Sequence, residues 1–516
     1  VRKYLLLAGI FIVISCKHYN RNKAHKEIRT ESVEKGEALA KQYCQSCHQF
    51  PEPSLLDVKS WEEGVLPNMG PRLGIFDFNF QHYPNMRRDR NLPAGFYPSQ
   101  PVLSFQEWQY ILDYYLATSP DSLLPQKRSY PIKNDLSLFR ISAPASLRPH
   151  PTTCFIQVDT TQRPFTLWHA DIFSKSVIRY DQQLQPLDSF TSEGGPIIDI
   201  DLNSRPLVAT NVGLLNPSNA VRGKLETVQT DAGGKWYLDT AICIDSLHRP
   251  VQSLRVDLNG DGRPDELICE FGNLTGALSW YENRGDHYDR RVIRGLPGAI
   301  KAYVRDYNRD GRPDIFALFA QGEEGIFLFT NEGQGKFSEK EILRFPPSYG
   351  SSYFEMDDFN GDGFPDIVYT CGDNADFSQV LKPYHGVYIF LNDGDWNFSQ
   401  KYFFPINGCY KAMAADFDGD GDLDLATISF FADYQRQPEE GFVYLENRGN
   451  FDFVPHSDRA TQQGRWLTMD VRDFNGDGKP DIFLGNFSMS LGSINSDVNW
   501  RGAAPFLYLE NISGKK

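Results

Sequence analysis

Residues 473–481 read Asp473-Phe474-Asn475-Gly476-Asp477-Gly478-Lys479-Pro480-Asp481, and the same nine-residue pattern stands at four earlier places. It occurs as Asp257-Leu258-Asn259-Gly260-Asp261-Gly262-Arg263-Pro264-Asp265, then from Asp306 to Asp314, from Asp358 to Asp366 and from Asp416 to Asp424, with starts 49, 52, 58 and 57 residues apart. Five copies in order mark a repeat array, in which each unit buries its apolar face against its neighbours.

The residue types of this loop suit a hard cation. Oxygen donors at positions one, three, five and nine, a backbone carbonyl at seven and glycine at six for the sharp turn are what calcium requires. The candidate ligands are Asp257, Asn259, Asp261, Arg263 and Asp265 in the first loop, and Asp306, Asn308, Asp310, Arg312 and Asp314 in the second. Asp358, Asn360, Asp362, Phe364 and Asp366 form the third set, Asp416, Asp418, Asp420, Asp422 and Asp424 the fourth, and Asp473, Asn475, Asp477, Lys479 and Asp481 the fifth. At position seven only the carbonyl oxygen is used, so Arg263, Arg312, Phe364, Asp422 and Lys479 need not resemble one another.

The start of the loop resembles an EF-hand, but its end does not. Position twelve, where an EF-hand needs a bidentate Glu, is Ile268, Ala317, Tyr369, Thr427 or Leu484, within apolar β-like sequence. The loop is therefore expected to join two strands. An aromatic-rich strand ending in Asn follows each copy, at Asn283, Asn331, Asn392, Asn447 and Asn511. Loop, strand, turn and strand make the unit of a propeller blade. Over residues 250 to 514 these features resemble the FG-GAP and VCBS repeats of integrin α-type propellers.

Two blades are expected upstream. One contains the decayed loop Asp199-Ile200-Asp201-Leu202-Asn203-Ser204-Arg205-Pro206, and the other the strand-like runs between Thr153 and Tyr180. The expected propeller, residues 153–516, then has seven blades, six and eight being the alternatives. About five structural Ca²⁺ would bring the formal charge of −15 to about −5. That acidic balance argues against a nucleic-acid partner, which needs a basic surface.

The N-terminal part carries a different signal. Arg2 and Lys3 precede an apolar run from Tyr4 to Ile14, then Ser15 and Cys16: a secretory signal too short to span a bilayer. Val13-Ile14-Ser15-Cys16 resembles the lipobox of bacterial lipoproteins. The resemblance implies residues 1–15 as signal peptide, a lipid on Cys16 holding the protein to a membrane, residues 16–31 as tether, and a location in the cell envelope.

Residues 32–120 are expected to form a small all-α haem domain. Cys44-Gln45-Ser46-Cys47-His48 places two thiols for thioethers to the vinyl groups of one haem, with His48 as proximal iron ligand. Ser104 is the expected N-cap, with Glu107 three residues on, of a helix reaching Ala117. Trp61, Met69, Gly70 and Leu73-Gly74 resemble small bacterial members of the class I cytochrome c family. The resemblance implies Met69 as the second axial ligand, with Met86 as alternative and His82 as a weaker one. Such an iron has no open position and passes single electrons. Six prolines between Ser119 and Cys154 mark residues 121–152 as a linker.

From the ninth-position Asp to the Asn ending the next strand the count is 18, 17, 26, 23 and 30. The three long connections, Cys371 to Gly386, Phe430 to Gly441 and Asn486 to Pro505, are expected to form a ligand-binding rim. They contain Asp373, Asp376, Tyr434, Gln435, Arg436, Asn486, Asn495, Asp497, Asn499, Trp500 and Arg501. No dinucleotide loop is present, and His169, His385 and His456 are isolated.

The functional expectation is a membrane-anchored c-type cytochrome serving a redox partner protein or small-molecule donor, with a propeller that binds a partner. A haem-linked dehydrogenase with its substrate on the propeller, and a carbohydrate- or protein-binding adhesin, are the alternatives. A substrate that reduces the haem would select the first of these two.

Overall fold

The computed structural model describes residues 28–375, 377–489, 500 and 502–514, the side chains of 240–243 excepted. The signal segment, Cys16, Asp376, Asn495, Asp497, Asn499 and Arg501 lie outside the described residues.

Seven antiparallel sheets follow one another along the chain. In the third, Pro250–Val256, Asp265–Glu270, Ala277–Asn283 and Tyr288–Arg294 lie side by side in that order. The first strands of successive sheets touch in turn around a ring, until Trp466–Arg472 of the last meets Thr153–Asp159 of the first. This is a seven-bladed β-propeller, the blade number expected.

Strand position within a blade sets composition. The second strand is covered on both faces, so Asp314–Phe319 is buried at every residue and reads as a short continuous apolar run. The fourth strand lies at the outer edge, and Lys336–Arg344 is correspondingly polar. Seven apolar clusters fill the seven gaps between blades. Between blades three and four, Trp280 packs with Phe327 and Phe329. Each such side chain contributes about 1.5–3 kcal/mol by burial, so interfaces hold the ring together more than any single blade does.

The ring closes with sequence from before its first blade. Phe139–Ser142 is the fourth strand of blade seven, antiparallel to Phe506–Asn511, with Phe139 opposite Asn511. Lys133–Asn134 adds in parallel to Phe453–Ser457 at the edge of blade six. Residues 121–152, expected as a linker, thus contain two propeller strands, and the propeller does not begin at residue 153. Four residues of alternation among prolines are too few to read as a strand; only pairing with a distant partner makes them one.

Blade two also departs from expectation. Its first strand runs Ile197–Asp201 and its second begins at Leu207, so the turn spans only residues 202–206. Asp199 therefore sits inside a strand rather than heading a metal loop.

The helical unit is built on two 14-residue helices, Thr30–Tyr43 and Phe105–Thr118. They cross at Gly36, where a Cβ would collide with the Tyr110 carbonyl. Ser104 and Glu107 form the capping box at the second helix. Trp61, Trp108, Ile111 and Tyr115 are the buried core. The unit is less uniformly helical than an all-α domain: a two-residue hairpin, Asp77–Phe78 with Gln81–His82, and turns occupy much of residues 76–101. Pro84, Pro93, Pro98 and Pro101 remove the N–H donors a helix would need there. Arginines stacked on rings order the stretch instead, Arg87 over Phe76 at 4.4 Å and Arg72 over Phe96 at 4.6 Å.

Candidate functional site

The metal-type loops all connect the first strand of a blade to its second, which puts them on one face of the ring. The connections from second to third strand lie on the opposite face, and the helical unit is seated there. The Tyr384 hydroxyl of blade five donates to the Leu55 carbonyl at 3.0 Å, and Gly64 lies against the Phe377 carbonyl. In blade two, Asn219 donates to the Asp89 carboxylate at 2.9 Å and lies 3.4 Å from the Met86 sulfur.

Four of the five loops share one hydrogen-bond pattern, and the Asp306 loop keeps all of it but the bond from its fourth residue. The Asp257 carboxylate accepts the N–H groups of Gly260 and Gly262 at 2.8 Å each, Asn259 Oδ1 accepts that of Asp261 at 2.9 Å, and Asp261 accepts that of Arg263 at 2.9 Å. The sixth-position glycines have φ between 82° at Gly262 and 97° at Gly421, in the left-handed region. The ninth-position aspartates are buried: Asp265 accepts from Leu258 N at 3.1 Å and Asn283 N at 2.8 Å. Burial pushes Asp424 up to about 7 and Asp481 up to about 6.

The donor set fits calcium. In the fourth loop the carboxylates of Asp416, Asp418 and Asp420 offer oxygens that all lie within 4.8 Å of one another. Asn replaces the middle Asp in the other four loops and offers an amide oxygen in its place.

In the helical unit, Cys44 is half-buried at the end of the first helix and Cys47 is exposed. Both are free thiols, as are Cys154, Cys269, Cys371 and Cys409. His48 Nδ1 lies 2.8 Å from the Gln49 carbonyl, which fixes the tautomer with Nε2 available as a ligand atom. Cys44, Tyr43, Phe50 and Met69 border the same buried core. The Met86 sulfur faces Asn219 and Asn273 of the propeller instead, and His82 pairs with Asp77 at 2.7 Å on the surface.

Among the described residues, the long connections are largely covered by other parts of the chain. That of blade five docks the helical unit, Val380 packing against the core around Trp61. In blade six, buried Glu440 pairs with Arg128 from the segment leading into the propeller. Trp500 of blade seven is buried against Tyr434 of blade six, ring centroids 4.9 Å apart, and Asn486 is buried too. In blades five and six the described part of the extra length holds the chain's own N-terminal part, a use that its residue types do not reveal. Two of the three histidines have local side-chain partners: His169 lies 2.8 Å from the Thr153 hydroxyl and His456 2.9 Å from Glu446.

One set of residues was not anticipated. Lys301, Tyr353 and Lys411 stand at the same register, five residues before the first loop Asp, on the innermost strands of blades four, five and six. The fixed offset within the repeat is the signal that could have found them.

These features define a β-propeller with FG-GAP-like repeats. Residues 257–317, 306–369 and 375–427 match the FG-GAP-like repeat. Among characterised proteins the chain is similar to cartilage acidic protein 1 of Homo sapiens, 25% identical over 283 residues, and of Mus musculus, 23% identical over 282. The matches cover 48% of this chain but only 40% and 42% of those proteins, so the chain spans well under half the length of the relatives it matches. Among solved structures, the WD40 domain of Neurospora crassa Pan2 aligns with a TM-score of 0.42 and 10% identity over 73% of this chain and 97% of that one.

Proposed function

We propose that the protein is an exported c-type cytochrome anchored through a lipid on Cys16, transferring single electrons from a helical unit mounted on a calcium-stabilised propeller. The observation that carries this reading is the arrangement at residues 44–48. Two free thiols and an imidazole with its Nε2 unencumbered follow directly on the first helix, beside the core that Met69 also borders. Cys44 and Cys47 would hold a haem covalently, with His48 and Met69 as the residues that would ligate its iron.

The bound haem supplies reversible one-electron chemistry without an open coordination position. The chain supplies the rest. The Gln49 carbonyl keeps the His48 ring oriented, and the crossing at Gly36 holds the two helices at a fixed distance. Seating on the propeller covers one side of the unit and leaves the other for a redox partner. The calcium face, on the far side of the ring, is open to a protein or ligand. Among the described residues no helix is long and apolar enough to cross a membrane.

A reduced-minus-oxidised spectrum of protein made in a host that attaches haem tests this reading. A c-type α-band is expected, and its absence would refute it.

A further inference from the structure

The hairpin of the helical unit carries an exposed aromatic ring at its tip. Asp77 pairs with His82 and Phe78 with Gln81, so Asn79 and Phe80 form the turn, with φ of 49° and 66°. Both central residues of such a turn need left-handed backbone, and the second is ordinarily Gly. Here it is Phe, which bears the steric cost of that conformation and gains no packing from it: Phe80 is fully exposed with the propeller in place. Strain kept at an exposed aromatic points to a contact outside the chain.

The base of the hairpin is fixed. Phe78 meets Phe105 edge-on at 6.1 Å, and the Asn79 amide donates to Gln109 at 3.3 Å. Phe105 and Val102, three residues before it, are themselves more than half exposed. The carboxylates nearest the hairpin are engaged within the unit, Asp77 with His82 at 2.7 Å and Glu107 with the Ser104 N–H at 2.7 Å.

The same side chains lead to the place where the chain enters the unit. Gln109 donates onward to Asp113 at 2.9 Å, and Asp113 accepts the hydroxyl of Ser32 in the first turn of the first helix. Three hydrogen bonds in series therefore join the hairpin tip to the start of that helix. Thr30 follows Cys16 by fourteen residues, so at most about 50 Å of chain parts the helix from the lipid. Stable attachment to a bilayer takes two signals, and an apolar tip next to the anchored end of the chain supplies the second.

We propose that the hairpin of residues 77–82 is a membrane-contacting element: the Phe80 ring enters the headgroup region of a phospholipid surface, with Phe105 and Val102 following at its edge. The inference rests on the lipid-anchored reading for the source of that surface, and it turns the helical unit toward the bilayer.

Flotation with vesicles of three parts phosphatidylethanolamine to one part phosphatidylglycerol tests it, using the processed full chain from residue 16 onward with Cys16→Ser, so that no lipid is attached. A bound fraction that grows with vesicle concentration is expected, with partition lowered about fivefold or more in Phe80→Asp and in Phe80→Gly. Phe80→Gly should melt no lower than wild type, because Gly adopts a φ of 66° freely; a ring needed only for folding would give the opposite result. Leu187→Asp, at an exposed position on the outer strand of blade one, should float like wild type. Absence of flotation, as for an apolar tip that fits a protein partner instead, overturns the proposal, and so does equal flotation by wild type and both Phe80 variants. Acylation of Cys16 plays no part in this assay and is read separately, from the mass of the N-terminal peptide of membrane-extracted protein, so failure of the anchor and failure of the hairpin are told apart.

Discussion

The buried carboxylate of Asp481 accepts the backbone N–H of Asn511 at 2.8 Å, joining the last metal-type loop to the end of the blade's third strand. The same bond links Asp314 to Asn331 at 2.8 Å, Asp366 to Asn392 at 2.9 Å and Asp424 to Asn447 at 2.7 Å. The Asn side chain then reaches the preceding blade, Asn331 donating to the Leu258 carbonyl and Asn511 to that of Phe417. The ninth position thus serves the fold whether or not a cation is bound, while positions one, three and five carry the side-chain oxygens that a cation would use.

Substitution should separate the two roles. Asp481→Ala leaves the N–H groups of Phe474 and Asn511 without their acceptor, and is expected to cost about 3 kcal/mol with or without calcium. Asp477→Ala, at an exposed fifth position, should lower the melting temperature only in calcium and not in chelator. Thermal melts of both variants in each condition check this; equal calcium dependence in the two would contradict it.

Ring closure depends on Phe139, which is buried and meets Phe417 and Tyr444 edge-on at 5.7 and 5.6 Å. Phe139→Ala should destabilise the propeller by about 3–5 kcal/mol, as truncation of a buried aromatic does. Arg140→Ala, on the exposed side of the same strand, should cost less than about 1 kcal/mol by loss of its surface pair with Glu510. Denaturant melts compare the two.

Glu355, on the innermost strand of blade five, predicts a pH effect. Glu355 has its folded-state pKa raised above the value of the free side chain, so the folded protein holds a proton that the unfolded chain releases. Stability is therefore lost as pH rises from about 4.5 to about 7, and the loss is complete above that range. Glu355→Gln keeps an acceptor for Ala414 and removes the charge. It should raise the melting temperature at pH values above about 7 and leave it unchanged below about 4.

The repeat made most of the fold legible. Loop, strand and terminal Asn recur with a period that only a ring of blades explains, and the capping box announced the second long helix at Ser104. What stayed hidden depends on distant pairing. The four residues Phe139–Ser142 carry too little alternation to be read as a strand. Trp500 looked like a binding residue because loops often carry function, yet its ring is covered by Tyr434 from the neighbouring blade, a contact that only folding creates. Lys301 and Lys411 lie 110 residues apart and meet only because the ring sets their blades on either side of Tyr353.

Covalent haem on the helical unit is the central claim. Protein made in a host that attaches haem, then denatured and stripped with acidified organic solvent, should keep a mass increment of one haem by intact mass spectrometry. The variant with both Cys44→Ser and Cys47→Ser should lack it. A wild-type mass equal to that of the bare polypeptide under these conditions would contradict the account.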